Sequence, residues 1–374
     1  MAAERPIRIL HLLNNLSDRG NGIVNVAVDL AMCQARRGMV VGFASGGGGY
    51  TSLLSSAGVQ CLVAPQADAA SAPRNSLGLL KVLRRFQPDV VHTHMRYGLA
   101  LVWPWVRWLK VPLVMHLHNV HDRDYGLSRL PQRVIAVSSS VRSSLVEQGV
   151  PAARVSVVLN GTLGSERLAS VVMPAALHRP AIVTVAGMTE RKGLAELIRA
   201  FAMLPAEHTG THLYLVGGGG EQPAFERLAA SSGVGDRIHF EGFQPDPRSY
   251  LASADLFVLA SRRESFGLAI LEARAAGCAI VATNVDGIPE LLDQGRCGVL
   301  VSPHDPAALA VQISRILKDQ NLQQTLRREA TRGLERYTVE RMSSEVLAIY
   351  MELLREKKSA GSLTAPDPAA STEI

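Results

Sequence analysis

"DLFVLASRRESFGLAILEARAAGCAIVATN", residues 255–284, carries three elements with only short connections between them. "DLFVLAS" is an apolar run of strand length, "FGLAILEARAAG" has apolar residues at helical spacing and is stopped by Gly277, and "AIVATN" is β-rich again. Strand, helix and strand joined this tightly form one crossover unit of a parallel sheet. Glu264 falls where the first strand ends and Glu272 inside the helix, so two carboxylates bracket a helix start. On their own they read as one solvated glutamate and one ordinary helix glutamate.

The same alternation extends in both directions. Upstream, "AIVTVAG", "HLYLVGG" and "RIHFEG" alternate with helical stretches. Helices from Pro306 to about Glu356 follow. Nearer the start come "IRILHLL", a helical "GIVNVAVDLAMCQARRG", then "MVVGFAS", "DVVHTH", "PLVMHLH", "RVIAVS" and "VSVVLNG". Periodicity weakens between about Thr162 and Pro180, and 374 residues exceed one ordinary core, so the chain divides in two. We expect an α/β fold of two doubly wound Rossmann-like domains facing a central cleft, with residues 1–175 in the first and 176–357 in the second. "SAGSLTAPDPAASTEI" closes the chain with the small, polar composition of a disordered tail, taken as 358–374.

A hydrophobic share of 47% against 19% charged residues supplies two sizeable cores. The net charge of +6 favours anionic partners, but no Lys/Arg block concentrates it, so nucleic acid is not expected. Cys33, Cys61, Cys278 and Cys297 lack metal-ligand spacing and read as reduced structural thiols, which suits the cytoplasm. The opening "MAAERPIRILHLLNN" reads as a first strand rather than a secretion signal. "LVWPWVRWLKVP" places Trp103, Trp105 and Trp108 beside Arg107 and Lys110. Its charges and prolines exclude a membrane span, Pro104 is expected in a first helical turn, and an exposed Trp with the cations would give weak contact with an anionic membrane surface.

Two Rossmann-like domains also suit dinucleotide enzymes, but the glycine clusters do not. "GGGGEQP" (217–223) has Gln222 where the dinucleotide fingerprint needs a small residue, and "GGGGYTS" (46–52) fails similarly. They read as tight turns, with Gly217 and Gly218 allowing close approach of a base or ribose. The helix start after Glu264 is different. Its free amides around Phe266, Gly267 and Leu268 would face the crevice where such sheets bind ligands, offering a phosphate or diphosphate site. Eight helical residues rise roughly 12 Å, too far for a hydrolase pair, so Glu264 and Glu272 suit the two ends of an elongated ligand. In "VAGMTERKGLAELIRAF", Arg191 and Lys192 at another strand-to-helix turn reach the same diphosphate, or form a solvated basic turn.

Taken in order, "MTERKGLAELIRAF", "FEGFQPDPRSYLASADLFVLAS", "ESFGLAILEARAAGCAIVATNVDGIPELL" and "CGVLVSPHDPAALAVQI" resemble the retaining GT-B-fold glycosyltransferases of the large family 4 group. The resemblance covers nearly the whole second domain and, more loosely, the first, through "NGIVNVAVDLAMCQARRG", "DVVHTH", "PLVMHLH" and "VIAVSSSVRSSLVEQGVPAARVSVVLNG". It implies a GT-B architecture and transfer of a sugar, with retention, from a nucleotide-diphosphate donor, by default a UDP-sugar. The implied acceptor is a lipid-linked or surface-polysaccharide glycan precursor, met in the cytoplasm or at the inner face of the membrane.

It further implies that Glu272 holds the ribose hydroxyls, Glu264 contacts the donor sugar, and Arg191 with Lys192 neutralises the diphosphate. His118 falls near the reaction centre, and Asn21 and Gly22 beside phosphates and acceptor. The catalytic set is then His118, Glu264 and Lys192. The donor-binding set is Gly22, Arg191, Lys192, Phe266, Gly267, Leu268 and Glu272. No metal or other cofactor is expected, and His92, His94 and His116 read as structural. Asp122 and Asp124 in "HDRDYG" have the spacing of metal-binding transferases but read as a solvated loop. Three positions depart from the pattern: Met188 stands where an arginine is usual, Asn21 where a second glycine is, and Ala279 where proline often precedes the strand. Two other classes share these features, a GT-B sugar-nucleotide 2-epimerase and a noncatalytic nucleotide-sugar binder. A change at C2 of the free nucleotide sugar would mark the first, and absence of transfer and hydrolysis the second.

Overall fold

A computed structural model describes residues 5–18, 20–64, 71–119 and 126–362. Seven parallel strands form the first sheet: β1 (Arg8–Leu12), β2 (Val40–Ser45), β3 (Gln60–Val63), β4 (Val90–Thr93), β5 (Leu113–Leu117), β6 (Arg133–Ala136) and β7 (Val155–Val157), in the order β3-β2-β1-β4-β5-β6-β7. Six more form the second: β8 (Ala181–Val185), β9 (His212–Val216), β10 (Ile238–Gly242), β11 (Leu256–Leu259), β12 (Ala279–Thr283) and β13 (Val299–Val301), in the order β10-β9-β8-β11-β12-β13. The sequence signals mark all but β3 and β13, which are short and lie at or near a sheet edge. Every residue of β4, β5, β11 and β12 is buried, as two-sided cover by helices requires.

Strand order reverses between β1 and β4 in the first sheet and between β8 and β11 in the second. The loops leaving those strands open a crevice at each reversal, where doubly wound sheets take ligands. Residues 187–193 leave β8 and residues 260–267 leave β11, so Arg191, Lys192 and Glu264 stand at one switch point. Arg262 N donates to Arg191 O at 2.8 Å, tying the two loops together. Only glycine fits at 193, which has φ 65° and whose Cβ would lie 1.8 Å from Ala260 O.

The helix of the opening stretch begins at Leu268 and ends at Ala275, with Gly267 at φ 102° as its N-cap. Glu264 therefore lies in non-helical chain, and helical rise alone does not set its distance from Glu272. Arg274, on this helix, is fully buried and donates to Ala330 O at 2.8 Å, Leu291 O at 2.6 Å and Arg332 O, with its guanidinium over the Tyr337 ring. A buried cation satisfied by carbonyls clamps the helix in place, and removing one partner class would leave it uncompensated.

Three placements differ from the sequence expectations. Pro104 sits inside the helix Arg96–Trp108 rather than in its first turn. The last helix runs from Val339 to Ser362, beyond the 357 boundary, and its apolar face is taken up by the first lobe. Val339, Met342, Val346, Ile349, Tyr350 and Leu353 form one core with Ile9, Val26, Leu30, Val90, Val114, Ile135 and Val158 of the first. The apolar face of the first sheet decides this, because without that helix one side of β1, β4 and β5 would face water. Finally, Gly217 and Gly219 serve packing: a Cβ on them would meet Ala186 O at 2.0 Å and Met188 O at 2.5 Å.

Candidate active site

The lobes meet where the opening stretch starts its helix. Ser138 Oγ, after β6, donates to Ser265 O at 2.7 Å, and Ser139 N and Oγ donate to the Glu290 carboxylate at 2.8 and 3.0 Å. A Cβ on Gly22 would stand 3.0 Å from the Leu268 side chain, so glycine there lets two helix N-termini, Gly22–Arg36 and Leu268–Ala275, converge. Asn21 explains its own departure from the family pattern. It is the N-cap of Gly22–Arg36, its Oδ1 accepting from Ile23 N at 3.0 Å.

On the second-lobe rim, Lys192 Nζ is ion-paired with Glu264, Arg191 Nη1 lies 4.0 Å from the same carboxylate and donates to Arg263 O at 3.0 Å. Asp286 holds the backbone from below, accepting from Glu264 N at 2.8 Å and pairing with Arg263 at 2.9 Å. The amides of Phe266, Gly267 and Leu268 donate to no group among the described residues. Cations, free amides and a carboxylate are thus within one turn of chain. Met188 is buried against the loop after β9, its amide donating to Gly218 O at 3.0 Å, so position 188 contributes packing and the positive charge falls to Arg191 and Lys192.

Glu272 is half-buried but enclosed by the cleft, and desolvation pushes its pKa up to about 7 against the pull of Arg167 and Arg248. Its carboxylate accepts no hydrogen bond among the described residues. Those two arginines escape sequence reasoning. Arg167 lies in the weakly periodic stretch between lobes and pairs with buried Asp29 at 3.1 Å, an acid also held by Ser165 Oγ at 2.6 Å. Arg248 pairs with Asp246 and donates to Leu168 O at 2.7 Å. Arg248 opens the helix Arg248–Ser253 within the quoted stretch "FEGFQPDPRSYLASADLFVLAS", whereas Arg167 lies in a stretch with no sustained helical or strand period.

His118 is 8% exposed and lines a recess of about 200 Å³ with Ile23, Met95 and Tyr97. Burial drives its pKa down to about 3, so it is neutral. His11, His92, His94 and His116 stack behind it, ring centroids 4.3–5.6 Å apart. Two triplets, His11/His92/His94 and His94/His116/His118, bring ring nitrogens within 4.8 Å of one another, a neutral donor set a transition metal could use. Three of the rings, His11, His94 and His118, are already hydrogen-bonded to each other. Asp122 and Asp124 lie outside the described residues.

Residues 172–333 match the family described as "Glycosyl transferases group 1" and residues 20–162 that described as "Glycosyltransferase Family 4". Over 178 residues, 48% of this chain and 50% of the relative, the sequence is 34% identical to "Lipopolysaccharide core biosynthesis glycosyltransferase LpsE" of Rhizobium meliloti. It is 32% identical over 179 residues to "N-acetyl-alpha-D-glucosaminyl L-malate synthase" of Bacillus anthracis, again 48% of this chain and 47% of that one. The chain spans about half the length of these curated relatives. Anabaena Alr3699/HepE, solved in complex with UDP and glucose, superposes with a TM-score of 0.79 at 20% identity, covering 92% of this chain and 100% of the other. The neighbour superposing over nearly the whole chain shows the two-lobed fold, and the two matched families, which between them take in both lobes, show that this chain belongs to the GT-B glycosyltransferases of the family 4 group.

Proposed function

We propose that the chain moves a sugar, with retention of configuration, from a nucleoside-diphosphate donor, UDP by default, to a hydroxyl of a lipid-linked or surface-polysaccharide glycan precursor. The observation that carries this reading is the shared lip of Lys192, Arg191, Glu264 and the free amides of Phe266–Leu268, with Glu272 farther along the same helix. As the bond from the anomeric carbon to the diphosphate breaks, negative charge grows on the phosphates and positive charge on the sugar. Lys192, Arg191 and the amides meet the first, stabilising the transition state more than the ground state. Glu264 holds the donor sugar beside Lys192, and Glu272 takes the ribose hydroxyls. His118 lines the recess on the opposite wall, where the acceptor hydroxyl attacks from the face the diphosphate leaves and gives its proton to that phosphate. A curated relative named for lipopolysaccharide core biosynthesis and another named for amylovoran biosynthesis support the acceptor class, and a neighbour solved with UDP supports the base.

No helix among the described residues is long and apolar enough to cross a membrane. A cytoplasmic protein touching the inner membrane face weakly would use Trp108, which is 60% exposed beneath Arg84 and near Arg107; Trp105 is tied to Ser76 and Trp103 is half-buried. The deciding experiment is a screen of nucleotide sugars against lipid-linked and soluble acceptors, with the product anomer assigned. A retained anomer on any acceptor supports transfer. Change at C2 of the free donor would replace it by epimerisation, and binding with neither transfer nor hydrolysis by a noncatalytic role.

A further inference from the structure

The histidine array behind His118 is more than filler. His92 and His94 are two residues apart leaving β4, His116 and His118 two apart leaving β5, and His11 on β1 is in register with His92. Alternation along a strand sends all these rings to one face. They are 0–8% exposed, and desolvation lowers the pKa of every one, so the array is neutral at physiological pH.

A neutral imidazole has one N–H and one lone pair, so a chain of imidazoles has a direction. Gln34 Oε1 lies 2.8 Å from His11 Nε2, His11 Nδ1 lies 3.1 Å from His94 Nε2, and His94 Nδ1 lies 3.2 Å from His118 Nε2. With the Gln34 amide oriented oxygen toward the ring, that oxygen only accepts, so His11 carries its proton on Nε2 and offers a lone pair at Nδ1. His94 must then donate from Nε2 and accept at Nδ1, and His118 must donate from Nε2. One acceptor at the far end orders three rings. His118 Nδ1 is left as a lone pair, bonded to nothing among the described residues, on the ring that lines the recess.

We infer that Gln34, His11 and His94 are positioning residues that lock His118 as the Nε2–H tautomer, so that its Nδ1 accepts a hydrogen bond from a hydroxyl of the sugar or its acceptor. The functional half of this rests on the reading of His118 at the reaction centre. The tautomer half does not. His116, whose ring nitrogens are both buried and unpartnered, stands outside the chain and supplies only a stacking surface 4.3 Å from His118.

Long-range proton–nitrogen spectra of the full chain, labelled with nitrogen-15 in histidine, report each tautomer directly and need no substrate. The wild type should show His11, His94 and His118 all as Nε2–H. Gln34→Met, which keeps side-chain length but removes the acceptor, should mix the tautomers at all three, and Gln34→Glu should restore them. In transfer assays Gln34→Met should lower kcat by up to about 10-fold, the scale of one lost hydrogen bond to the bound hydroxyl, with donor KM little changed. A His118 protonated on Nδ1 in the wild type would overturn the inference, as would tautomers indifferent to Gln34→Met in a folded variant. Stoichiometric zinc or copper lost on His116→Ala would overturn it too, since a metal would take the lone pairs. If Gln34→Met fails to fold, the wild-type and Gln34→Glu spectra still decide. Absence of any sugar transfer by the wild type would sink the proposed function and leave the tautomer result standing.

Discussion

The two walls of the cleft are built from opposite materials. The second-lobe wall is ionic, with Lys192, Arg191, Glu264, Arg263 and Asp286 in contact within a few residues of three strand ends. The first-lobe wall is neutral, with five stacked histidines whose charged forms burial suppresses. Both occupy the switch point of a doubly wound sheet, so topology makes the crevice and side chains decide what it holds. A wall of fixed cations suits a ligand that arrives and leaves as an anion. A wall of neutral acceptors suits hydroxyls, whose recognition a net charge would blur.

Breaking the ionic wall should have the largest effect. Lys192→Ala removes the cation that the proposed function sets against the departing diphosphate, and loss of one such preorganised group costs roughly 10²- to 10³-fold in turnover. Initial rates at saturating donor and excess acceptor test this; wild-type kcat in the folded variant would refute the role. Next comes Glu272→Ala. A lost hydrogen bond to a charged group is worth roughly 1.5 to 3 kcal/mol, or about 10- to 150-fold in UDP affinity. Calorimetry finding unchanged affinity would remove the ribose assignment.

A subtler test sharpens the contrast through pH. With Glu272 titrating near 7 in the free protein, its ionised fraction, and with it UDP affinity, should fall about 10-fold from pH 8 to pH 6. UDP itself titrates nearby, so the measurement is the difference between wild type and Glu272→Gln, whose contribution should be flat. The sign for stability runs the other way. A carboxyl raised from 4.5 to about 7 favours the native state below 4.5 and loses that contribution as pH rises through 7. Glu272→Gln should therefore raise the melting temperature at pH 8 and do so much less at pH 5. Smallest of all is the membrane effect: at low salt a modest fraction should sediment with anionic vesicles and little with neutral ones, and Trp108→Ala should reduce it. A protein left wholly in the supernatant would point to a soluble acceptor.

Much of the ionic wall could be read from the sequence because strand, loop and helix are contiguous there. Glu264, the amides of Phe266–Leu268 and Glu272 lie within nine residues, and local periodicity places all of them. The neutral wall is assembled from three strands far apart in the chain. His92 with His94, and His116 with His118, carried a legible same-face spacing, but nothing local brings His11 or Gln34 to them. Arg167 and Arg248 were hidden for a related reason, since each begins or sits in a short helical piece, Arg248–Ser253 and Glu166–Leu168, whose placement over Glu272 depends on contacts distant in the chain. The strands β3 and β13 were missed because Gln60–Val63 is only partly covered and Val299–Val301 is three residues long. The destination of the last helix depended on an unfilled apolar face elsewhere, which no window of sequence displays.

That destination has a mechanical consequence. Because the chain returns to its first lobe for its final helix, it passes between lobes twice, and the two passages run side by side: Thr162 N and Leu163 N donate to Tyr337 O at 3.0 and 3.1 Å, and Val339 N returns a bond to Leu163 O at 3.0 Å. Glycine is required at 161, where a Cβ would stand 2.2 Å from Thr338 O, so the plies touch. A single strand would let one lobe swivel freely against the other. A laminated strap bends about one line and resists torsion, so it restrains the ionic wall from twisting out of alignment with the neutral one.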